Sequence, residues 1–132
     1  MNGNNFDQYA MESAVVDVIY NGGVSANVFT NRPRSSERDL DDFVVSRIAG
    51  NIRDRGAIGE CTFNISLFAR DVQNMKNGRK LSILQNRLYA ALPYEVGNIV
   101  FKPYSFNVIG DTPDGNGYHA RVINIQAFIK IA

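Results

Sequence analysis

The segment from Cys61 to Arg70 alternates strictly between two sets of side chains. The odd positions hold Cys61, Phe63, Ile65, Leu67 and Ala69, and the even positions hold Thr62, Asn64, Ser66, Phe68 and Arg70. Successive side chains of a β-strand point to opposite faces, so this pattern predicts a strand with one face in a core and the other away from it. Such a strand requires neighbouring strands and an apolar layer to cover its core face.

Two segments have the apolar spacing of helices that could supply this layer. The first has Met11, Ala14, Val15, Val18 and Ile19, at i, i+3, i+4, i+7 and i+8, and the second has Leu81, Leu84, Leu88, Ala91 and Leu92. This spacing predicts an amphipathic helix from about Phe6 to Tyr20, followed by a stop at Asn21–Gly23. It predicts a second helix that Pro93 ends.

Other segments have the composition of strands and turns. Strands are predicted at Val24–Asn31, Phe43–Gly50, Ile99–Ile109 and Tyr118–Ile131, and the segment Asn51–Gly59 is predicted to be a hairpin connection. The predicted order is α-β-β-β-α-β-β. Consecutive strands with short connections favour a mainly antiparallel sheet, so we expect an α+β fold with two helices packed on one face. The length of 132 residues fits a single domain, 1–132, with a terminal hairpin at 99–131.

A polar loop is predicted at 31–42, between the first two strands. It contains four acidic residues, one proline and three arginines, namely Arg32, Arg34 and Arg38. This segment cannot bury itself, so its arginines are candidates for contact with another protein molecule.

Composition and motifs argue against several classes of function. The net charge of +1 gives no general attraction to nucleic acid or to an anionic membrane, and the apolar runs are too short to span a bilayer. No signal peptide is recognisable at the N-terminus. Cys61 and His119 are the only cysteine and the only histidine, which leaves no set of metal ligands. We therefore expect Cys61 to be a small apolar strand residue, and we expect no enzyme activity, no metal and no cofactor.

The segment that joins the third strand to the second helix superficially resembles a phosphate-binding loop. It has one glycine, Gly78, before Arg79 and Lys80, whereas a P-loop requires two glycines at fixed spacing followed by lysine and serine or threonine. Two solvated charges are the favoured interpretation of Arg79 and Lys80. The alternative is a contact with an anion or a carboxylate of a partner.

Two phenylalanines stand among polar residues on their strand faces. Phe68 and Phe128 are the large apolar members of otherwise polar alternations. Both are candidates for a contact surface, as one patch if their strands are neighbours.

The chain resembles the tail-terminator proteins of long-tailed bacteriophages and prophages. The resemblance lies in a leading helix, a strand and a loop that opens with Arg32-Pro33, in "LDDFVVSRI" (Leu40–Ile48), in "CTFNISLFARD" (Cys61–Asp71), in "NGRKLSILQNRLYAAL" (Asn77–Leu92) and in a terminal isoleucine-rich strand. Related neck and tail-completion proteins share this order of elements.

The resemblance implies a structural protein of the virion tail or neck, made in the cytoplasm of the host bacterium. It implies a homo-oligomeric ring, of six subunits, that caps the tail tube and contacts the tail tube protein and the head–tail connector protein. No membrane and no specific nucleic acid are expected as partners. The main alternative is a small ligand- or peptide-binding α+β module, and an enzyme with an unrecognised pocket is a third possibility.

Overall fold

A computed structural model describes residues 7–31, 40–54, 58–102 and 105–130, with the backbone alone at positions 51 and 54. These residues form two helices and seven strands. The helices are α1 (Gln8–Asn21) and α2 (Gly78–Ala91); the strands are β1 (Val28–Phe29), β2 (Asp42–Asp54), β3 (Ile58–Arg70), β4 (Glu95–Val96), β5 (Ile99–Phe101), β6 (Asn107–Pro113) and β7 (Tyr118–Lys130). The predicted α+β class is confirmed.

The strands form one curved sheet in the order β1-β2-β3-β7-β5-β4, and β6 also pairs with β7. Only the two-residue strand β1 runs parallel to its neighbour, and the other pairings are antiparallel. The two longest pairings join β3 to β2 and to β7, so the strand with the clearest alternation lies at the centre. The prediction of a mainly antiparallel sheet is therefore correct.

Both helices cover one face of the sheet. The buried residues of α1 are Met11, Val15 and Ile19, and those of α2 are Leu81, Leu84 and Leu88. They pack against the odd-numbered residues of β3 and β7, including Phe63, Ile65 and Ile125, in one apolar cluster. Cys61 belongs to this cluster, and burial raises the pKa of its thiol to about 11, so it acts as the small apolar group that was expected.

Two strand predictions are wrong in detail. The segment Val24–Asn31 contains only the two-residue β1, because side-chain bonds hold the preceding residues: the hydroxyl of Ser25 donates to Asp42, and the amide of Asn27 donates to the Asp42 carbonyl. The segment Ile99–Ile109 forms no single strand. Its ends belong to β5 and β6, which pair with different parts of β7.

The C-terminal ends of the two helices approach each other closely. Gly22 caps α1, and a Cβ atom added there would lie 2.4 Å from the Cβ atom of Ala91, at the end of α2. Real Cβ atoms are not found at such a distance. A side chain at position 22 would therefore push the helices apart.

We expect Gly22→Ala to lower the free energy of unfolding by about 1–3 kcal/mol, because it overpacks this contact. Urea denaturation measures the loss. Adding Ala91→Gly to Gly22→Ala should recover part of it, although Ala91→Gly alone is destabilising. Strict additivity of the two changes would contradict this explanation.

Candidate assembly surfaces

Phe68 lies in an aromatic cluster on the open face, by which we mean the sheet face that carries no helix. Its ring stacks on that of Phe43 with centroids 4.4 Å apart, and Tyr118 meets Phe43 edge-on at 5.3 Å. Phe29 and Leu40 pack over the cluster, and Phe68 is only 7 % exposed. The prediction that Phe68 is a surface contact residue is therefore wrong, because this second, smaller core covers it.

Hydrogen bonds hold the segment around Leu40 over this cluster. The hydroxyl of Tyr118 donates to the carbonyl of Leu40 at 2.7 Å, and the guanidinium of Arg70 donates to the same carbonyl at 3.1 Å and to the Tyr118 hydroxyl at 3.2 Å. The chain that enters β2 is thereby held against β3 and β7.

Phe128 lies near the opposite end of the open face. Phe68 is paired with Ala120, which precedes Phe128 by eight residues along β7. At about 3.3 Å per residue the two phenylalanines are about 26 Å apart. The expected single patch does not exist, although the strands are neighbours. The ring of Phe128 is half-buried beneath Lys102, whose Nζ lies 4.3 Å from its centroid.

A shallow polar cleft of about 270 Å³ lies at this end of the open face. Arg53, Glu60, Thr62, Lys102 and Gln126 are among its lining residues. The ammonium of Lys102 donates to Glu60 at 3.0 Å. The cleft therefore presents hydrogen-bonding groups and no sizeable apolar floor.

The five basic candidates have different positions. Arg32, Arg34 and Arg38 lie outside the described residues, so the prediction for the polar loop stays a prediction. Lys80 is not a freely solvated charge, because its Nζ lies 2.9 Å from a carboxylate oxygen of Asp42 and ties the start of α2 to the start of β2. Arg79 is exposed, as the solvated interpretation predicts.

An ionic cluster joins α2, β6 and β7. The guanidinium of Arg121 donates to both carboxylate oxygens of Asp111, at 2.6 and 2.9 Å, and also to Ser82 and Gln85. Lys76 lies 3.2 Å from the same carboxylate. The hydrogen bond from Arg121 is the main cause that lowers the pKa of Asp111, and the same bond raises the pKa of Arg121.

His119 lies close to this cluster, half-buried, with its Nδ1 2.7 Å from an oxygen of Asp71. A hydrolase triad would add a serine hydroxyl on the imidazole. The hydroxyls of Ser25, Ser66 and Ser105 donate to other acceptors, and the hydroxyl of Ser82 accepts from Arg121. Within the same ranges no three potential metal-binding side chains come together.

The two long sides of the sheet are protected differently. On the β2 side, β1 covers Val44 and Val45, and further along the carboxylate of Glu12 accepts the backbone N–H of Ile48 at 2.6 Å. On the other side, β6 pairs with β7 alone among the described strands, and six of its seven residues are exposed. Val108 and Ile109 are 41 % and 45 % exposed, so β6 offers an apolar edge with which no other described strand pairs.

Comparisons with known proteins support the fold only. No protein-family model matches the sequence, and no curated protein matches it. Among solved structures, 20 chains match. One of them is 11 % identical with a TM-score of 0.63, and the match covers 100 % of this chain and 98 % of that one. Within the described ranges, neither helix has the length and apolar character needed to cross a bilayer.

Sequence reasoning missed the surfaces that depend on tertiary pairing. The ionic cluster brings together Lys76, Asp111 and Arg121, which no local motif connects. The exposed edge at β6 was missed because Ile99–Ile109 was interpreted as one strand. One further surface could have been found from the sequence. The side of α1 away from its buried residues has its own helical spacing of side chains, namely Tyr9, Ser13, Val16 and Tyr20.

Proposed function

We propose that this chain is a structural assembly protein of a phage or prophage virion, with the role of a tail terminator. It acts in the tail or neck, after synthesis in the host cytoplasm. It forms a ring of six copies that caps the tail tube and meets the connector protein. Its role is structural and not enzymatic. The proposal rests on the sequence motifs given above, to which the α+β architecture conforms.

The observation that best supports an assembly role is the edge of β6, which no other described part of the sheet covers. Natural proteins protect exposed strand edges with charges, prolines or bulges, because an open edge invites another strand. The β2 side has such protection in Glu12. β6 has a register shift between Ile109 and Thr112 and ends at Pro113, but Val108 and Ile109 precede both features and are exposed. Contact between two different patches on successive copies closes into a ring when the rotation permits.

The test adds the purified protein to polymerised tail tubes and images the tube ends by electron microscopy. We expect ring-shaped density at one end of each tube. Val108→Lys with Ile109→Lys should reduce this capping while leaving the fold intact, because both side chains are partly exposed and the longer lysine chain can extend into solvent. If tube ends stay bare at every protein concentration, the terminator function is wrong.

The cleft at the Phe128 end of the open face favours a second candidate, a small ligand- or peptide-binding module. Its lysine, arginine and glutamine side chains could hold a peptide carboxylate. Titration with a library of short acidic peptides, monitored by the amide NMR signals of Thr62 and Gln126, would test this. Saturable shifts together with bare tube ends would favour the binding module over the terminator.

A further inference from the structure

The outer side of α1 is apolar and acidic. Tyr9, Ser13, Val16 and Tyr20 recur at i, i+4, i+7 and i+11, and Tyr9 and Tyr20 are 69 % and 57 % exposed. Asp17 is exposed beside them. The opposite side of α1 is already buried in the core, so the helix has apolar residues on both sides. A helix that is apolar on both sides is typical of one that is covered on both.

The outer side of α2 has the same spacing with the opposite charge. Arg79, Ile83, Asn86 and Ala90 also recur at i, i+4, i+7 and i+11, and Arg87 stands beside them as Asp17 does on α1. All five residues are exposed. Neither arginine has an ion-pair partner among the described residues.

The charged residues of the two helices have opposite signs. From Asp7 to Asn21 the chain has three acidic residues and no basic one, and from Gly78 to Ala91 it has three basic residues and no acidic one. Two of the acids have partners within the chain: Asp7 caps α1, and Glu12 accepts the Ile48 N–H. Within the described ranges Asp17 on one helix, and Arg79 and Arg87 on the other, have no ionic partner, and they are left for an external contact.

We propose that the outer side of α1 docks on the outer side of α2 of a second copy of this chain. Asp17 pairs with Arg87 or Arg79, the tyrosine rings receive guanidinium groups on their faces, and Ala90 leaves room for a ring. Tyrosine and arginine are the residues that most often dominate such interfaces. The complementary charge identifies the partner as another copy, because each molecule carries both halves of the contact.

This contact does not depend on the phage role, and its surface is separate from the β6 edge. It joins two different patches, so it can build either a two-fold dimer or a head-to-tail ring. The mass of the complex distinguishes these two outcomes, and both are consistent with the contact.

Reciprocal charge reversal tests it. One variant is Asp17→Arg, and the other combines Arg79→Glu with Arg87→Glu. Each alone places like charges across the contact, so we expect the dissociation constant of self-association to rise at least about tenfold in analytical ultracentrifugation. Mixed in equal amounts, the two variants should associate with each other, because attraction returns at every contact. Arg47→Glu, on the open face, is the control and should change nothing.

The reversals at positions 17 and 79 suit the helix dipoles, since they put a cation in the second half of α1 and an anion in the first turn of α2. Thermal melts verify that the variants fold. A second test mixes chains that carry Asp17→Cys with chains that carry Arg87→Cys. We expect an interchain disulfide in the mixture, and Cys61 is buried and does not compete.

The inference is overturned if the wild-type chain is a monomer at all concentrations and salt levels. It is also overturned if the reversed variants associate as tightly as the wild type, or if their mixture fails to recover association. If the charge-reversed variants fail to fold, absence of the mixed disulfide would overturn the inference instead. Bare tube ends together with intact self-association would reject the terminator function and leave the proposed contact standing.

Discussion

Phe68→Ala is expected to lower the free energy of unfolding by about 3–5 kcal/mol, as is usual when a buried phenylalanine is truncated. The ring that would be lost stacks on Phe43, and the surrounding cluster is closed by Phe29 and Leu40. The cavity left behind could not collapse easily, because β2 and β3 hold Phe43 and position 68 in register. Urea denaturation monitored by circular dichroism measures the change.

Phe128→Ala is the matched control for this experiment. It removes the same ring from the same face of the sheet, where the side chain is half-buried beneath Lys102. We expect a loss of about 1 kcal/mol, from reduced burial and the lost cation–π contact. Equal losses from the two substitutions would show that the cluster around Phe68 is no better packed than the edge of the cleft.

Asp111→Ala is expected to cost about 2–4 kcal/mol at neutral pH. The side chains of Asp111 and Arg121 are only 8 % and 15 % exposed, and removal of the carboxylate leaves the guanidinium largely buried without its counter-ion. Glu95→Ala is the control. It breaks a salt bridge of the same 2.6 Å length to Lys130, but those side chains are 43 % and 53 % exposed, so a loss below about 1 kcal/mol is expected.

The stabilisation from Asp111 should also depend on pH. Arg121 lowers the pKa of Asp111 in the folded state below its unfolded value of about 4. The contribution is therefore fully present above the unfolded pKa and is lost as the pH falls through the folded pKa. Denaturation curves of the wild type and Asp111→Ala should converge in strong acid. A gap that stays constant down to the acid limit would assign the loss to packing instead of charge.

Local periodicity was enough to predict the helices and the central strand. The alternation from Cys61 to Ala69 identified every residue of that segment that packs beneath the helices, and the leucine spacing identified the buried face of α2. These predictions succeed because the period of the side chains is fixed by the backbone, whatever the partner is.

The open face could not be predicted in the same way. In isolation Phe68 resembles an exposed residue among polar neighbours. It is buried by its pairing with Phe43 and by Leu40, which packs over the same cluster. The same limit applies to Lys80, whose partner Asp42 lies 38 positions earlier in the chain. Burial on the second face of a sheet depends on which distant segments cover that face. The periodicity of a single sequence gives no signal for which segments these are.

The central position of β7 has a consequence for the order of folding. β7 is the last described strand in the sequence, yet it pairs with β3 along 13 residues, from Ile58↔Lys130 to Arg70↔Tyr118. The β2–β3 hairpin can form early. Without β7, however, one edge of β3 stays unpaired, β5 can pair only with the two-residue β4, and β6 loses the strand with which it pairs. Contacts across such long sequence separations close slowly, because the loop entropy is lost before the contacts form. We therefore expect the edge of β3 to stay unpaired and prone to aggregation during synthesis until the residues of β7 have left the ribosome.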